Sequence, residues 1–192
     1  NMFMGAINSY SDDAGKGLNV LTGKRGVPFS TIARDYKAKG VKWVAVGDWN
    51  YGEGSSREHA ALSPRLLGAA AIITRSFARI HESNLKKQGL LAFTFDNGDD
   101  YDRIREDDRI SLPDLAQLAP GRQVDCVVSH ADGTTETFKL NHTYNEAQVE
   151  WFTQTIIPGM KGGLEARGQA ELPPIVVRGH HIVEYGSHED VL

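Results

Sequence analysis

The chain has 192 residues, of which 40% are hydrophobic and 24% are charged. These values are typical of a globular protein that has a hydrophobic core and is the size of one domain or slightly more. The net charge of -4 argues against nucleic-acid and membrane-surface partners, because there is no basic excess to meet phosphates. No apolar run approaches the ~18 to 20 residues that a membrane span needs.

The single cysteine, Cys126, cannot form an internal disulfide and offers no CxxC-type metal site. This usage is typical of a reducing compartment. The chain starts with Asn1 and not with methionine, which favours a processed product or an excerpt of a longer protein. A targeting segment would then be invisible, so its absence carries no weight.

The first half of the chain alternates between strand and helix patterns. Residues 1–29 are rich in glycine and small residues and predict loops with one short strand. Ser30 is the expected N-cap of a helix that ends before Gly40. Beyond it, apolar runs predict strands over 41–47, 70–74 and 90–95, and helical patterns cover 57–68 and 76–89. This order predicts a parallel sheet with right-handed crossovers.

The second half of the chain has a different character. The acidic segment 96–109 predicts an exposed, solvated loop. Asp132 and Gly133, between two strand-like runs, predict a β-hairpin, and Asn145 is the expected N-cap of an amphipathic helix. The run 175–185 has the composition of a strand, but the sequence gives it no position in the sheet.

The sharpest functional signal is the segment GDWNYGEGSSREHAALSPR, residues 47–65. Gly52 and Gly54 remove side chains where a ligand would approach the backbone. The unpaired N–H groups and the dipole of the following helix favour an anion. Arg57, expected in the first turn of that helix, can bind a carboxylate with two parallel hydrogen bonds. Because ligands of open α/β sheets bind beyond the carboxyl ends of parallel strands, we expect a carboxylate or phosphate site here.

A plain structural interpretation of this segment is also open. Ser55 and Glu58 have the S-x-x-E spacing of a capping box, in which both side chains satisfy backbone N–H groups at a helix start. The loop lacks the pattern of a Walker A motif, a Rossmann fingerprint or a nucleophile elbow. Ser55 as an acyl-transfer nucleophile would need a histidine and an acid nearby, and no histidine spacing in the sequence commits one to that role.

The same residues resemble a known family. The run over 47–95, with its GSSREHAAL and SFARIHESNLKKQGLL blocks, is similar to the C-terminal, swivelling domain of mitochondrial-type aconitases. The GAIN, ARDYKAKGVKWV and LNHTYNEAQVEWF segments agree, so the resemblance covers roughly residues 1–155. It implies an α/β fold, namely a swivelling β/β/α domain with a short parallel sheet flanked by helices plus a β-hairpin.

The resemblance also implies a reaction and roles for three residues. Aconitases isomerise citrate to isocitrate through cis-aconitate, by dehydration and rehydration at a [4Fe-4S] cluster. Ser55 matches the family's catalytic base, and Ser56 and Arg57 match its binders of substrate carboxylates. The cluster, whose open iron accepts the leaving hydroxyl as a Lewis acid, belongs to other domains of the parent enzyme, and Cys126 matches no ligand position. The chain is therefore expected to hold half of an active site, to supply no metal ligand and to be mitochondrial.

Two departures from the family pattern limit this transfer. Trp49 stands where mitochondrial aconitases usually have glutamate, and the C-terminal tail is longer than usual. We expect an aconitase-type swivel domain over residues 1–161 and a solvated C-terminal extension over 162–192. His180 and His181 in that extension are a candidate metal site or, more simply, part of the solvated tail.

Other functions remain open at this point. Trp49 would suit a paralogue that dehydrates homocitrate in lysine synthesis, and the small subunit of isopropylmalate isomerase has a similar G-S-S-R-E loop. A module that binds di- or tricarboxylates without turning them over is the non-enzymatic alternative. The long helical blocks favour the single-chain aconitases. The expected partners are a tricarboxylate and the cluster-binding domains of the same parent chain, with no nucleic acid and no membrane.

Overall fold

The computed structural model describes residues 2–54, 57–113, 115–156 and 174–178. Ser55 and Ser56 lie outside the described residues, as do His180, His181 and most of the expected extension. Among the described residues, no helix combines the length and the apolar character needed to cross a membrane.

Three short strands precede the first helix: β1 (Ile7–Asn8), β2 (Lys16–Asn19) and β3 (Lys24–Pro28). β2 and β3 pair antiparallel as a separate two-stranded sheet. Gly15 has a φ of +68°, and a Cβ there would lie 2.7 Å from the Met4 carbonyl oxygen. The sequence predicted one strand in this region, because strands this short show no alternation to detect.

The middle of the chain confirms the predicted alternation. Its elements are α1 (Phe29–Ala38), β4 (Trp43–Gly47), α2 (Glu58–Leu66), β5 (Ala69–Thr74), α3 (Arg79–Lys87) and β6 (Leu91–Phe95). The prediction of Ser30 as the N-cap of α1 is wrong. The helix begins one residue earlier, and Pro28 precedes it without any side-chain capping bond.

The remaining elements are β7 (Arg109–Ser111), β8 (Val124–Ser129), β9 (Thr135–Asn141), α4 (Glu146–Trp151) and β10 (Pro174–Arg178). The predicted hairpin is confirmed, since β8 and β9 pair antiparallel across Gly133, whose φ is +85°. Asn145 caps α4 as predicted and forms a full capping box with Gln148. The helix continues as a π-helical turn, Phe152–Ile156.

The prediction that 96–109 is an exposed loop is wrong in part. The segment contains a 3-10 turn, Gly98–Arg103, in which Asp100 is 7% exposed. Asp108 is fully buried, and its carboxylate bonds to a histidine side chain. A run of acidic residues gives no sign of such burial, because the partners come from distant parts of the sequence.

The main sheet has eight strands in the order β1-β10-β4-β5-β6-β9-β8-β7. Its four central strands, from β10 to β6, are parallel, and the flanking pairs are antiparallel. In the β4–β5 register, Gly47 lies opposite Thr74, so the two strands end at the same level. The segments that follow β4 and β5 therefore leave the same edge of the sheet, next to each other.

Two hydrophobic cores lie on opposite faces of the sheet. Along β4, Val44 and Val46 belong to one core, and Trp43 and Ala45 belong to the other. The first core contains side chains of β7, β8, β9 and Phe152, whereas α1, α2 and α3 all contribute to the second. Burial on both faces explains why the central strands are continuous apolar runs without alternation.

A buried cluster of charged side chains fixes the hairpin to the segment before β7. His130 Nδ1 lies 2.7 Å from Asp108 Oδ1, and His130 Nε2 lies 3.2 Å from Glu136 Oε1. The second Asp108 oxygen accepts a bond from the Arg105 backbone N–H at 2.6 Å. Burial alone would lower the pKa of His130, but the hydrogen bonds to Asp108 and Glu136 outweigh it and raise the pKa above its usual range.

We expect His130→Leu to lower the free energy of unfolding by about 3 kcal/mol, because it leaves the buried Asp108 carboxylate unpaired. Since folding raises the pKa of His130, its contribution is complete below its ordinary value of 6.5 and is lost as the pH rises through the folded value. The difference in the free energy of unfolding between the wild type and His130→Leu should therefore become smaller as the pH rises. Urea unfolding over a pH series from slightly acidic to alkaline measures it.

The matched control for this prediction is His59→Leu, on the exposed side of α2. It should change the free energy of unfolding by less than about 0.5 kcal/mol at any pH. A His130→Leu effect that stays constant across the pH series would contradict the assigned protonation of His130.

Candidate active site

The segment after β4 is fixed to the segment after β5 by backbone hydrogen bonds. The Tyr51 N–H donates to the Ser76 carbonyl at 2.8 Å, and the Ala78 N–H donates to the Tyr51 carbonyl at 3.0 Å. The Asn50 N–H donates to the Ser76 hydroxyl at 2.8 Å. The turn that follows Tyr51 therefore has a fixed starting point at the carboxyl edge of the sheet.

The Tyr51 ring is buried under this turn and fills the space beside Gly47. A Cβ on Gly47 would lie 2.3 Å from the Tyr51 ring. The ring also makes edge contacts with Phe77, at 5.9 Å between centroids, and a tilted contact with His81, at 5.5 Å. Burial raises the pKa of Tyr51 far above its ordinary value, so the hydroxyl remains neutral.

Gly52 and Gly54 are required by backbone geometry, whereas the sequence analysis had explained them by the approach of a ligand. Their φ values are +90° and +94°, a region that side chains other than glycine rarely occupy. Gly52 also lies directly against His81, since a Cβ on Gly52 would be 2.2 Å from the His81 Cγ. No substitution at Gly52 fits without moving the turn or the histidine.

His81, which the sequence analysis did not single out, is the buried polar residue of this region. It is 1% exposed, and its Nδ1 has no hydrogen-bond partner among the described residues. Burial lowers the pKa of His81 to about 4, so the ring is neutral near pH 7. An unpartnered buried nitrogen of this kind costs about 1–3 kcal/mol.

An open cleft of about 690 Å³ lies between the glycine turn and the start of α3. It is lined by Gly52, Glu53 and Gly54 on one side and by Ala78, Arg79, Ile80 and His81 on the other. Arg79 and Ile80 are exposed there. The cleft therefore combines glycine backbone, one cation, one carboxylate and an apolar side chain at the edge of the sheet.

Arg57 lies immediately before α2 and not in its first turn, which corrects the expectation. Its backbone is extended, with φ -82° and ψ 138°, and its side chain is exposed. The first helical residue is Glu58, whereas a capping box would make Glu58 the third. The Arg57 side chain makes no capping hydrogen bond to the start of this helix.

Trp49 packs on Arg75 beside the loop. The Arg75 guanidinium lies 5.8 Å from the centre of the Trp49 ring and 4.5 Å from that of Tyr101. It also forms ion pairs with Asp48, at 3.0 Å, and with Asp102. The indole is 51% exposed, so it covers the arginine without being buried itself. Arg75 directly follows the apolar run of β5, and this position in the sequence could have identified it as a residue beside the loop.

The described residues contain no cluster of three or more histidine, cysteine or acidic side chains arranged to hold a metal ion. Cys126 is fully buried, and burial raises the pKa of its thiol to about 12. A metal ligand must be a thiolate, so this side chain is unsuited to binding an iron–sulfur cluster. The described residues of this chain thus supply no ligand set for an iron–sulfur cluster, which the resemblance assigns to other domains.

Comparisons with known proteins find the same family that the loop sequence resembles. A family model described as the aconitase C-terminal domain matches residues 1–98. A probable mitochondrial aconitate hydratase of Dictyostelium discoideum is 58% identical over 153 residues, which are 79% of this chain and 20% of that protein. The mitochondrial aconitate hydratase of Saccharomyces cerevisiae is 56% identical over 153 residues, 79% of this chain and 19% of that protein.

Among solved structures, a 3-isopropylmalate dehydratase from Methanocaldococcus jannaschii is similar with a TM-score of 0.37 and 23% identity, over 65% of this chain and 64% of that one. The chain spans about a fifth of the length of the curated relatives it matches. The family model covers half of the chain, including the whole glycine turn, the start of α2 and α3. The chain belongs to the aconitase C-terminal domain family.

Proposed function

We propose that this chain is the substrate-closing C-terminal domain of an aconitate hydratase, a hydro-lyase that isomerises citrate and isocitrate through cis-aconitate. The observation that carries the proposal is the identity of 58% over 79% of the chain to a mitochondrial aconitate hydratase. The names of the relatives also support a mitochondrial location. The swivel domain is assigned to residues 1–161 and an extension to 162–192, although one strand of that extension, Pro174–Arg178, joins the main sheet and is not a solvated tail.

In this proposal the chain contributes one face of the active site. Ser55 removes the proton next to a substrate carboxylate, and Ser56 and Arg57 bind carboxylates. A serine hydroxyl is a poor base, because its pKa lies far above 7. It can act only where backbone N–H groups and a cation stabilise the negative oxygen in a site without bulk water. The backbone N–H groups at the start of α2, which Arg57 does not cap, and the adjacent Arg57 guanidinium are the groups of this chain that could do so.

The position of Arg57 supports its role as a carboxylate binder. The side chain is exposed, and its backbone directly precedes the helix. A planar guanidinium matches a carboxylate with two parallel hydrogen bonds. The positive end of the α2 dipole lies beside it and favours the same anion. Negative charge that builds on the substrate during proton removal would be compensated there.

A [4Fe-4S] cluster, which we assign to other domains of a longer parent protein, would supply the Lewis acid for the leaving hydroxyl. The described residues of this chain supply no suitable ligand set. No observation favours the other candidate functions. The curated relatives are aconitate hydratases, and Trp49 packs on Arg75, which gives it a structural role at the loop whatever the substrate.

We expect the purified chain to show no conversion of citrate to cis-aconitate, and activity to appear when cluster-bearing aconitase domains are added. The reason is that the chain holds a base and carboxylate binders without the Lewis acid. The activity of both samples is measured from the ultraviolet absorbance of the cis-aconitate that they form. Turnover by the chain alone would contradict the proposal.

In the complemented enzyme, Ser55→Ala should lower kcat by at least about 1,000-fold with little change in citrate affinity, because it removes the base and leaves the carboxylate binders. Steady-state kinetics and citrate titration measure the two quantities. Ser83→Ala, an exposed serine of α3, is the matched control and should keep full activity. If Ser55→Ala kept its activity and lost only about 1 kcal/mol of stability, the role of Ser55 would be structural alone.

Arg57→Lys should raise KM and also lower kcat/KM by about 10- to 100-fold, because a point charge cannot reproduce two parallel hydrogen bonds. Arg34→Lys, on the exposed side of α1, is the matched control. It makes the same substitution away from the loop and should leave KM and kcat/KM unaltered. Unchanged KM in Arg57→Lys would show that Arg57 does not bind a carboxylate in this way.

A further inference from the structure

The contacts of the glycine turn also fix the position of Arg79, the first residue of α3. The Ala78 N–H, one residue before it, donates to the Tyr51 carbonyl at 3.0 Å. Two residues after it, His81 packs directly against Gly52. Arg79 lies between these two contacts, so the start of α3 is held against the turn on both sides of the arginine.

The cleft of about 690 Å³ brings Arg79 and the end of the glycine turn together. Arg79 lines one side of it and Gly54 the other, and Ser55, the assigned base, follows Gly54 directly in the chain. Small-molecule sites are typically clefts of about 300–1,000 Å³. Glu53 also lines the turn side, but it is exposed, so water and ions screen its charge. A tricarboxylate in this cleft would therefore contact the turn at the residue before the base, with Arg79 across from it.

Packing and internal pairing do not account for Arg79. The side chain is exposed, and among the described residues it forms no ion pair or hydrogen bond. Arg75, Arg103 and Arg105, by contrast, are all paired with carboxylates. An arginine in the first turn of a helix also opposes the helix dipole, whose positive end lies there. An anion placed between the arginine and the helix start removes this conflict.

We propose that Arg79 is a further substrate-binding residue, whose guanidinium binds one carboxylate of the tricarboxylate in the cleft with two parallel hydrogen bonds. This inference rests on the proposed function. A tricarboxylate has three negative groups to bind, and Arg79 lies across the cleft from the turn that leads to Ser56 and Arg57. Because the carboxylate that it binds does not react, Arg79 stabilises the bound substrate and the transition state alike.

The test uses the complemented enzyme with two substitutions at Arg79. Arg79→Gln should raise KM for citrate by about 10- to 100-fold and change kcat by less than about 3-fold, because hydrogen bonds to a charged group are lost from substrate and transition state equally. Arg79→Lys keeps the charge without the planar fork and should recover only part of this loss. The matched control, Arg34→Gln, removes an exposed arginine of α1 and should leave both constants unaltered.

Further measurements separate substrate binding from a structural or interdomain role. Inhibition by propane-1,2,3-tricarboxylate, which has no hydroxyl to eliminate, reports binding without turnover, and its inhibition constant should rise by the same factor as KM. The melting temperature of Arg79→Gln should equal or exceed that of the wild type, because the substitution removes a cation from the helix start. The concentration of this chain that half-saturates the cluster-bearing domains should not change.

An Arg79→Gln enzyme whose KM and inhibition constant stay within about 3-fold of wild type, while Ser55→Ala is inactive, would overturn the substrate contact. So would a raised half-saturating concentration with an unaltered KM, because Arg79 would then bind a carboxylate of the cluster-bearing domains. Should Arg79→Gln not fold, Arg79→Lys decides by the same constants. If Ser55→Ala were also fully active, the proposed function itself would fail, so the two failures are distinguishable.

Discussion

Parallel pairing between β4 and β5 is the constraint on which the loop region depends. Because Gly47 and Thr74 lie opposite each other, the segments that leave the two strands are adjacent from their first residue. Tyr51 converts this proximity into a fixed geometry by bonding through its backbone to Ser76 and Ala78. A glycine turn and a helix start are thereby held together at one edge of the sheet, by interactions that involve no functional side chain.

Two buried histidines show how the same side chain is used in opposite ways in one fold. His81 lies among aromatic groups, which keep it neutral, whereas His130 lies between Asp108 and Glu136, which favour its charged form. The charged cluster belongs to the hairpin and the segment before β7, away from the turn. The environment, and not the residue type, separates a charged structural side chain from an uncharged one beneath the loop.

The sequence predicted most of the features that depend on local information, although the expected N-cap of α1 was wrong. Apolar runs and helical patterns predicted β4, β5 and β6 and the helices between them, and Asn145 and Gly133 marked a helix start and a hairpin correctly. It was insufficient where structure depends on distant partners. The burial of Asp108 requires His130, and the importance of His81 depends on its contact with Gly52; no periodicity or spacing encodes either contact.

The position of β10 links the two ends of the chain. Its residues, Pro174–Arg178, pair in parallel with β4 on one side and antiparallel with β1 on the other. A chain trimmed before Pro174 would lose the only described connection of β1 to the sheet and would leave the β4 edge with a row of unsatisfied backbone groups. Such an open edge invites pairing with a second molecule, so the C-terminal strand protects the fold against self-association as well as completing it.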